Sequence, residues 1–158
     1  LAATTFVGQN LGIGNVERAK KGVRSALLIS MATTAILMAP VLLFAPDLTA
    51  FFNAKPEVIR YGTLLLRWLS PFYILCCVNQ VYAGALRGAG NSQVPMILML
   101  SSFVVFRQCY LYVMSHFICN EVLPIALSYP AGWIVCSVAT LLYYRRAKLD
   151  KTTLVNDL

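Results

Sequence analysis

Residues 76–95 read Cys-Cys-Val-Asn-Gln-Val-Tyr-Ala-Gly-Ala-Leu-Arg-Gly-Ala-Gly-Asn-Ser-Gln-Val-Pro, and the organisation of the chain follows from this segment and its flanks. Its first half closes a long apolar run that carries the amides of Asn79 and Gln80. Its second half predicts a tight turn between two helices, because Gly88 and Gly90 tolerate a positive φ and the final proline suits the first turn of a helix. Polar side chains inside an apolar helix, beside a glycine-rich turn, are typical of the part of a helical membrane protein that contacts its cargo.

The composition is that of a membrane protein. Hydrophobic residues make up 59% of the 158 positions and charged residues 12%, far from the mix of soluble globular chains. The net charge of +7 does not indicate a nucleic acid partner, because the bases cluster at the ends of apolar runs and not in one strip among exposed aromatic residues. No metal or cofactor is predicted, since the cysteines lack metal-ligand spacing and act as small apolar fillers. The five cysteines are Cys76, Cys77, Cys109, Cys119 and Cys136.

The long apolar runs predict an all-α membrane protein, a polytopic helical bundle. Each complete run is close to or above the ~20 residues that a helix needs to cross a bilayer. None shows the polar face at every turn that a soluble helical bundle would present. The predicted spans are the end of one helix at about 1–10 and four complete transmembrane helices at about 22–46, 57–86, 93–117 and 123–144. A cytoplasmic tail is predicted at 147–158.

Turns and helix contacts are predicted from the small residues. Small side chains recur every four positions in the first complete span and so share one face, where a neighbouring helix is expected to approach closely; they are Gly22, Ala26, Ser30 and Thr34. Residues 8–15 are predicted to break the first helix, and residues 47–60 to form a polar connection. The hinge and turn positions are Gly8, Gly12, Gly84, Arg87, Gly88 and Gly90.

The basic residues predict the orientation. If the spans alternate, nine bases fall on one side and only Lys55 and Arg60 on the other. Cytoplasmic loops of membrane proteins carry the excess of Lys and Arg, so the richer side and the C-terminus are predicted to be cytoplasmic, in a multi-pass protein of the cell membrane. The nine are Arg18, Lys20, Lys21, Arg24, Arg87, Arg145, Arg146, Lys148 and Lys151.

No enzymatic function is predicted. The six acids lie in loops or at span ends and His116 is the single histidine, so no catalytic triad, carboxylate pair or phosphate loop can be assembled. Arg107 is the one ionisable group well inside a span, and it is either a structural arginine or a charge facing a watery cavity. Asn79 and Gln80 leave the same choice between bonding neighbouring helices and facing a cavity.

Two motifs resemble the multidrug and toxic compound extrusion (MATE) family. Residues 6–12, Phe-Val-Gly-Gln-Asn-Leu-Gly, followed by a basic helix, resemble the loop that ends the eighth helix of that family. Residues 83–92, Ala-Gly-Ala-Leu-Arg-Gly-Ala-Gly-Asn-Ser, resemble its turn between helices ten and eleven. The resemblance extends through Tyr144 and implies the C-terminal lobe of a twelve-helix, two-lobe exporter, without its N-terminal lobe and seventh helix.

The resemblance implies an antiporter that expels small amphiphilic or cationic compounds in exchange for H+ or Na+ by alternating access. One departure is that Cys76 occupies the position where some sodium-coupled members carry a carboxylate, and no span contains an acid. Ion coupling is therefore expected to use residues outside this chain, in the N-terminal lobe or the seventh helix. The partners implied are the lipid bilayer, the small-molecule substrate, the coupling ion and that lobe.

Within that family architecture, this portion is expected to supply one wall of the cargo cavity. Aromatic rings hold cations and amides orient polar groups, so the candidate residues are Tyr73, Cys76, Asn79, Gln80, Arg107 and Gln108. Two rival functions remain open. One is a lipid-linked oligosaccharide flippase of the same superfamily, whose cavity would be more cationic, and the other is a non-transporting membrane scaffold.

Overall fold

The computed structural model describes residues 2–118 and 122–147, and every regular element within them is helical. The α-helices are α1 (Ala2–Gly12), α2 (Val16–Leu43), α3 (Ala45–Phe52), α4 (Pro56–Leu69), α5 (Tyr73–Gly88), α6 (Gln93–Leu100), α7 (Arg107–Val113), α8 (Val122–Ala126) and α9 (Ser128–Arg146). A 3-10 turn at Ser70–Phe72 joins α4 to α5, and wider π turns at Ser101–Phe106 and Met114–Ile118 flank α7. Cys119 and the predicted tail beyond residue 147 lie outside the described residues. The predicted start of the last span, at about residue 123, falls within α8.

Four continuous helical segments are long and apolar enough to cross a membrane, namely Val16–Leu43, Pro56–Gly88, Gln93–Phe117 and Pro124–Arg146. Large apolar side chains on these segments point outward: Leu28, Ile36 and Leu37 of α2 are 68%, 71% and 64% exposed. Such a surface is stable in lipid and not in water. The prediction of an all-α polytopic membrane protein is confirmed.

The first helix ends later than predicted. α1 continues through Gly8 to Gly12, and the break lies at residues 13–15, where Gly14 has a φ of 75°. The prediction that Gly8 begins the break is therefore wrong. The Asn10 side chain stays within the helix, because its Nδ2 donates to the Phe6 carbonyl oxygen at 2.7 Å. Asn15 then caps α2, since its Oδ1 accepts from the Arg18 amide at 3.1 Å.

The predicted polar connection at residues 47–60 is also wrong for most of its length. Residues 45–52 form α3, α4 begins at Pro56, and only residues 53–55 connect the two. Proline is compatible with the first turn of a helix, where the missing N–H has no partner to lose, and both helices begin in this way, with Pro46 and Pro56. The Thr49 hydroxyl donates to the Ala45 carbonyl oxygen at 2.7 Å within α3.

The second predicted turn is shorter than expected. Gly84, Arg87 and Gly88 all lie within α5, so the turn itself consists of residues 89–92. Of the two glycines expected to take a positive φ, only Gly90 does so, at 87°. Asn91 closes the turn. Its backbone N–H donates to the Leu86 carbonyl oxygen at 3.0 Å, and its side-chain Oδ1 accepts from the Val94 backbone N–H at 3.1 Å. Pro95 lies in the first turn of α6, as predicted.

The glycines of α5 serve helix packing. α5 lies against α1, α2 and α9 at the centre of the bundle. Gly84 and Gly88 are four residues apart and face α1, and a Cβ added at Gly88 would overlap the Thr4 carbonyl oxygen. A Cβ added at Gly8 would lie 3.2 Å from the Gly88 carbonyl oxygen. The two backbones are therefore nearly in contact, which small residues four apart permit in membrane helices.

The predicted small-residue face of α2 does contact its neighbours. Gly22 lies directly against the Phe6 ring of α1. Further along, the Thr34 hydroxyl is 3.0 Å from the Cys77 sulfur, and that thiol is 3.8 Å from the Ser30 carbonyl oxygen. A buried hydrophobic cluster lies among α1, α2 and α5, with Tyr82 and Tyr144 packed against it; its members are Val7, Leu11, Ala19, Val23, Val81, Ala85 and Ala89.

Candidate functional site

Two adjoining grooves run along the surface shared by α2 and α5. The larger has a volume of about 720 Å³ and is also bordered by α1, and the smaller has a volume of about 430 Å³. Both grooves are lined by Ile29, Ser30, Gln80 and Val81. The two therefore form one continuous depression, called the α2–α5 groove below, with Gln80 where its two parts meet.

The α2–α5 groove combines apolar surface with separate polar side chains, and its bases lie at one end. Apolar atoms supply most of its exposed surface, and the Gln80 amide is exposed between them. A mainly apolar surface with placed polar groups is typical of small-molecule sites. Bases occur only at the end where α2 starts, where Arg18 and Lys21 line it and Lys21 Nζ is 2.8 Å from Glu17 Oε1. The remaining polar side chains are Ser25, Ser30, Thr33, Thr34, Cys76 and Cys77.

The six residues predicted for the cavity wall do not lie together. Cys76 and Gln80 line the α2–α5 groove. Gln108 lines a different groove of about 660 Å³, together with Tyr112 and His116. The other three, Tyr73, Asn79 and Arg107, face α9. The assignment of all six to one cavity stays a prediction.

Asn79 is buried between α5 and α9. Its side chain is 3% exposed, and its Oδ1 accepts a hydrogen bond from the Thr140 hydroxyl at 3.2 Å. A second bond joins the same two helices, because the Ser137 hydroxyl donates to the Leu75 carbonyl oxygen at 2.8 Å. Of the two alternatives open for Asn79, this geometry favours the interhelical one.

Tyr73 and Arg107 are linked through two aromatic residues of α9. The ring centroids of Tyr73 and Trp133 are 5.2 Å apart, and those of Trp133 and Tyr129 are 6.3 Å apart. The guanidinium carbon of Arg107 lies 3.7 Å from the centroid of the Tyr129 ring, which is a cation–π contact. Arg107 Nε is buried and has no hydrogen-bond partner among the described residues.

Sequence reasoning did not single out Tyr129 as a partner of Arg107. One signal was present, since Tyr129 and Trp133 are four residues apart and so lie on one face of a helix. That spacing does not reveal which neighbouring helix the face contacts. In the structure the face meets α5 through Tyr73 and α7 through Arg107.

Comparison with known proteins agrees with the motifs. A probable multidrug resistance protein NorM of Thermotoga maritima is 27% identical over 96% of this chain and 32% of its own length. A probable multidrug resistance protein YpnP of Bacillus subtilis is 28% identical over 91% of this chain and 32% of its own. A probable multidrug resistance protein NorM of Pasteurella multocida is 30% identical over 95% of this chain and 33% of its own.

The chain thus spans about a third of the length of the curated relatives it matches. The family model described as MatE matches residues 1–113, which run from the start of the chain to the end of α7 and include both motifs. The chain therefore belongs to the MatE family, the multidrug and toxic compound extrusion family that its motifs resemble.

Proposed function

We propose that this chain forms one wall of the cargo cavity of an exporter for small amphiphilic or cationic compounds, which works by alternating access in exchange for H+ or Na+. The observation that carries the proposal is the position of Gln80. It lies where the two parts of the α2–α5 groove meet, exposed within the membrane-spanning segment Pro56–Gly88. A polar side chain inside a membrane span is costly and is typical of a substrate pathway.

The chemistry of the groove suits an amphiphile. Ile29 and Val81 offer apolar surface to the body of a substrate, and the Gln80 amide is able both to donate and to accept a hydrogen bond. The names of the matched relatives, each a probable multidrug resistance protein, support the same class of cargo.

Ion coupling is proposed to use residues outside this chain. No Asp or Glu lines the α2–α5 groove among the described residues, and Cys76 occupies the position where, by the family resemblance, some sodium-coupled members carry a carboxylate. The transporter is then completed by further helices, as the greater length of the relatives suggests.

We place the protein in the cell membrane with its C-terminus in the cytoplasm. Two contacts support this orientation by bringing the basic ends of the helices together. Asn91 Nδ2 donates to the Tyr143 hydroxyl at 2.9 Å, which joins the α5–α6 turn to the end of α9. Arg24 and Arg145 border one pocket, which joins the start of α2 to the same end. Positive charge gathered at one end of a bundle marks the cytoplasmic side.

The two rival functions are less well supported. A flippase for lipid-linked oligosaccharides would need cationic groups deep in its cavity, whereas the deep Arg107 faces Tyr129 and does not line the α2–α5 groove. A scaffold without transport activity would need helix contacts but no groove with an exposed amide such as that of Gln80. Uptake of a dye into proteoliposomes that contain the transporter distinguishes transport from scaffolding.

The test replaces Gln80 by Leu in the transporter that contains this chain. The expected result is a changed resistance profile across several cationic dyes at unchanged abundance in the membrane. Gln93→Leu is the matched control, because it removes the same amide from an exposed position on α6 that does not line the α2–α5 groove, and its profile is expected to stay that of the wild type. Equal resistance of Gln80→Leu and wild type to every dye, at equal abundance, would contradict the proposal.

A further inference from the structure

A separate pocket of about 340 Å³ lies between the start of α2 and the end of α9, with α5 beside it. Three bases border it: Lys20 and Arg24 from α2, and Arg145 from α9. None of the three lines the α2–α5 groove, which uses Arg18 and Lys21 on another face of α2. Arg18 and Lys21 thus lie at the mouth of the groove, whereas the other three bases border this pocket.

The charge of this pocket is uncompensated within the described residues. No Asp or Glu lines it. Among residues 2–118 and 122–147, the ion pair found is that of Lys21 with Glu17, so Lys20, Arg24 and Arg145 have no carboxylate partner there. Three positive charges that converge on one cavity attract a multiply coordinated anion such as a phosphate.

The wall behind the bases is aromatic and apolar. The rings of Tyr82 and Tyr144 pack with their centroids 4.7 Å apart, and both side chains border the pocket. Leu141 completes the apolar side. Tyrosines placed beside bases at the end of a membrane-spanning helix are typical of the level of the lipid headgroups.

From these contacts we infer that the pocket binds the headgroup of an anionic membrane phospholipid. The phosphate lies among Lys20, Arg24 and Arg145, and the glycerol and first methylenes lie against Tyr82, Tyr144 and Leu141. Basic pockets between membrane helices, at the level of the headgroups, suit such a ligand. The bound lipid links α2 to α9 and so stabilises this end of the bundle, whatever cargo the α2–α5 groove carries.

The experiment measures lipid binding to the detergent-solubilised protein by native mass spectrometry, with thermal unfolding measured in parallel. Phosphatidylglycerol is the probe, and phosphatidylcholine, inorganic phosphate and glycerol 1-phosphate are compared with it. The double variant Arg24→Gln/Arg145→Gln is expected to bind phosphatidylglycerol about thirtyfold more weakly, since each base near an anionic lipid surface contributes about fivefold. It is also expected to lose the rise in unfolding temperature that this lipid causes in the wild type.

The matched control is Arg18→Gln/Arg146→Gln. It also removes one arginine charge from each of α2 and α9, but at positions that do not border the pocket. Its affinity for phosphatidylglycerol is expected to equal that of the wild type. The single variant Arg145→Gln, at an exposed end of α9, repeats the test with a milder change and about a fivefold loss. Circular dichroism confirms that each variant is folded.

Three results would overturn the inference. An equal loss in the double variant and in its control would mean that lipid binds the general positive surface. Equal binding of phosphatidylcholine would mean that the pocket does not distinguish an anionic from a zwitterionic headgroup. Binding of inorganic phosphate or glycerol 1-phosphate as tight as that of the lipid would mean that the site takes a free phosphate and not a membrane component.

Discussion

The Thr140 hydroxyl donates a hydrogen bond to Asn79 Oδ1 at 3.2 Å inside the bundle, while the next residue, Gln80, is exposed in the α2–α5 groove. Successive residues of a helix point about 100° apart, so the two adjacent amides face different neighbours. Asn79 joins α5 to α9, and Gln80 faces the proposed cargo.

Replacement of Asn79 by Leu is expected to lower stability and leave dye preference unchanged. Hydrogen bonds between membrane helices contribute about 0.6 kcal/mol on average and up to about 1.7 kcal/mol, and the Thr140 hydroxyl would lose its partner. Thermal unfolding of the detergent-solubilised transporter measures the first effect, and the resistance profile measures the second. Gln80→Leu serves as the comparison, because it is expected to show the reverse pattern. A changed dye preference in Asn79→Leu at wild-type stability would contradict the division of roles.

Replacement of Gly88 by Ala is expected to destabilise the contact between α1 and α5. The added methyl would overlap the Thr4 carbonyl oxygen, which belongs to the backbone and cannot rotate away. Overpacking of this kind costs about 1–3 kcal/mol. Gly12→Ala is the matched control, because nothing lies within 4 Å of a Cβ at that helical position. It is expected to be neutral or slightly stabilising, and equal unfolding temperatures for the two variants would argue against a close α1–α5 contact.

Replacement of Tyr129 by Leu is expected to remove the cation–π contact with Arg107, whereas Tyr129→Phe keeps the ring. The contact is worth about 0.5–2 kcal/mol, depending on how far the pair is removed from water. Thermal unfolding should therefore rank wild type and Phe above Leu. In a background with Arg107→Gln, the difference between Phe and Leu should shrink. If it does not shrink, packing of the ring alone explains the effect and the charge of Arg107 is not involved.

Single cysteines placed in a cysteine-free background test the proposed orientation. A membrane-impermeant maleimide is expected to label position 21 or 92, at the basic end of the bundle, only from the cytoplasm. Position 55, in the short connection before α4, is expected to be labelled only from outside. The three native residues are Lys21, Ser92 and Lys55. The opposite labelling pattern would reverse the orientation inferred from the distribution of bases.

The sequence by itself determined the class of fold and the family. A chain in lipid must satisfy its backbone hydrogen bonds internally, so a long apolar run can only be a helix, and this depends on local composition alone. The two glycine-containing motifs indicated the family in the same local way. The ends of the helices were predicted less accurately, because a glycine such as Gly8 or Gly88 is unfavourable in an isolated helix by about 1 kcal/mol. Contact between α1 and α5, distant in sequence, stabilises them there.

Only the tertiary structure decided which side chains lie together. In a membrane, lipid and protein neighbours are equally apolar, so hydrophobicity does not say which face of a helix is buried. The sequence placed Asn79 and Gln80 in one span but could not assign Asn79 to Thr140 and Gln80 to the groove. The approach of Arg107 to Tyr129, from another helix, depends in the same way on how α7 and α9 pack. Helical spacing fixes the angle between two side chains, and only the packing of whole helices fixes what each of them meets.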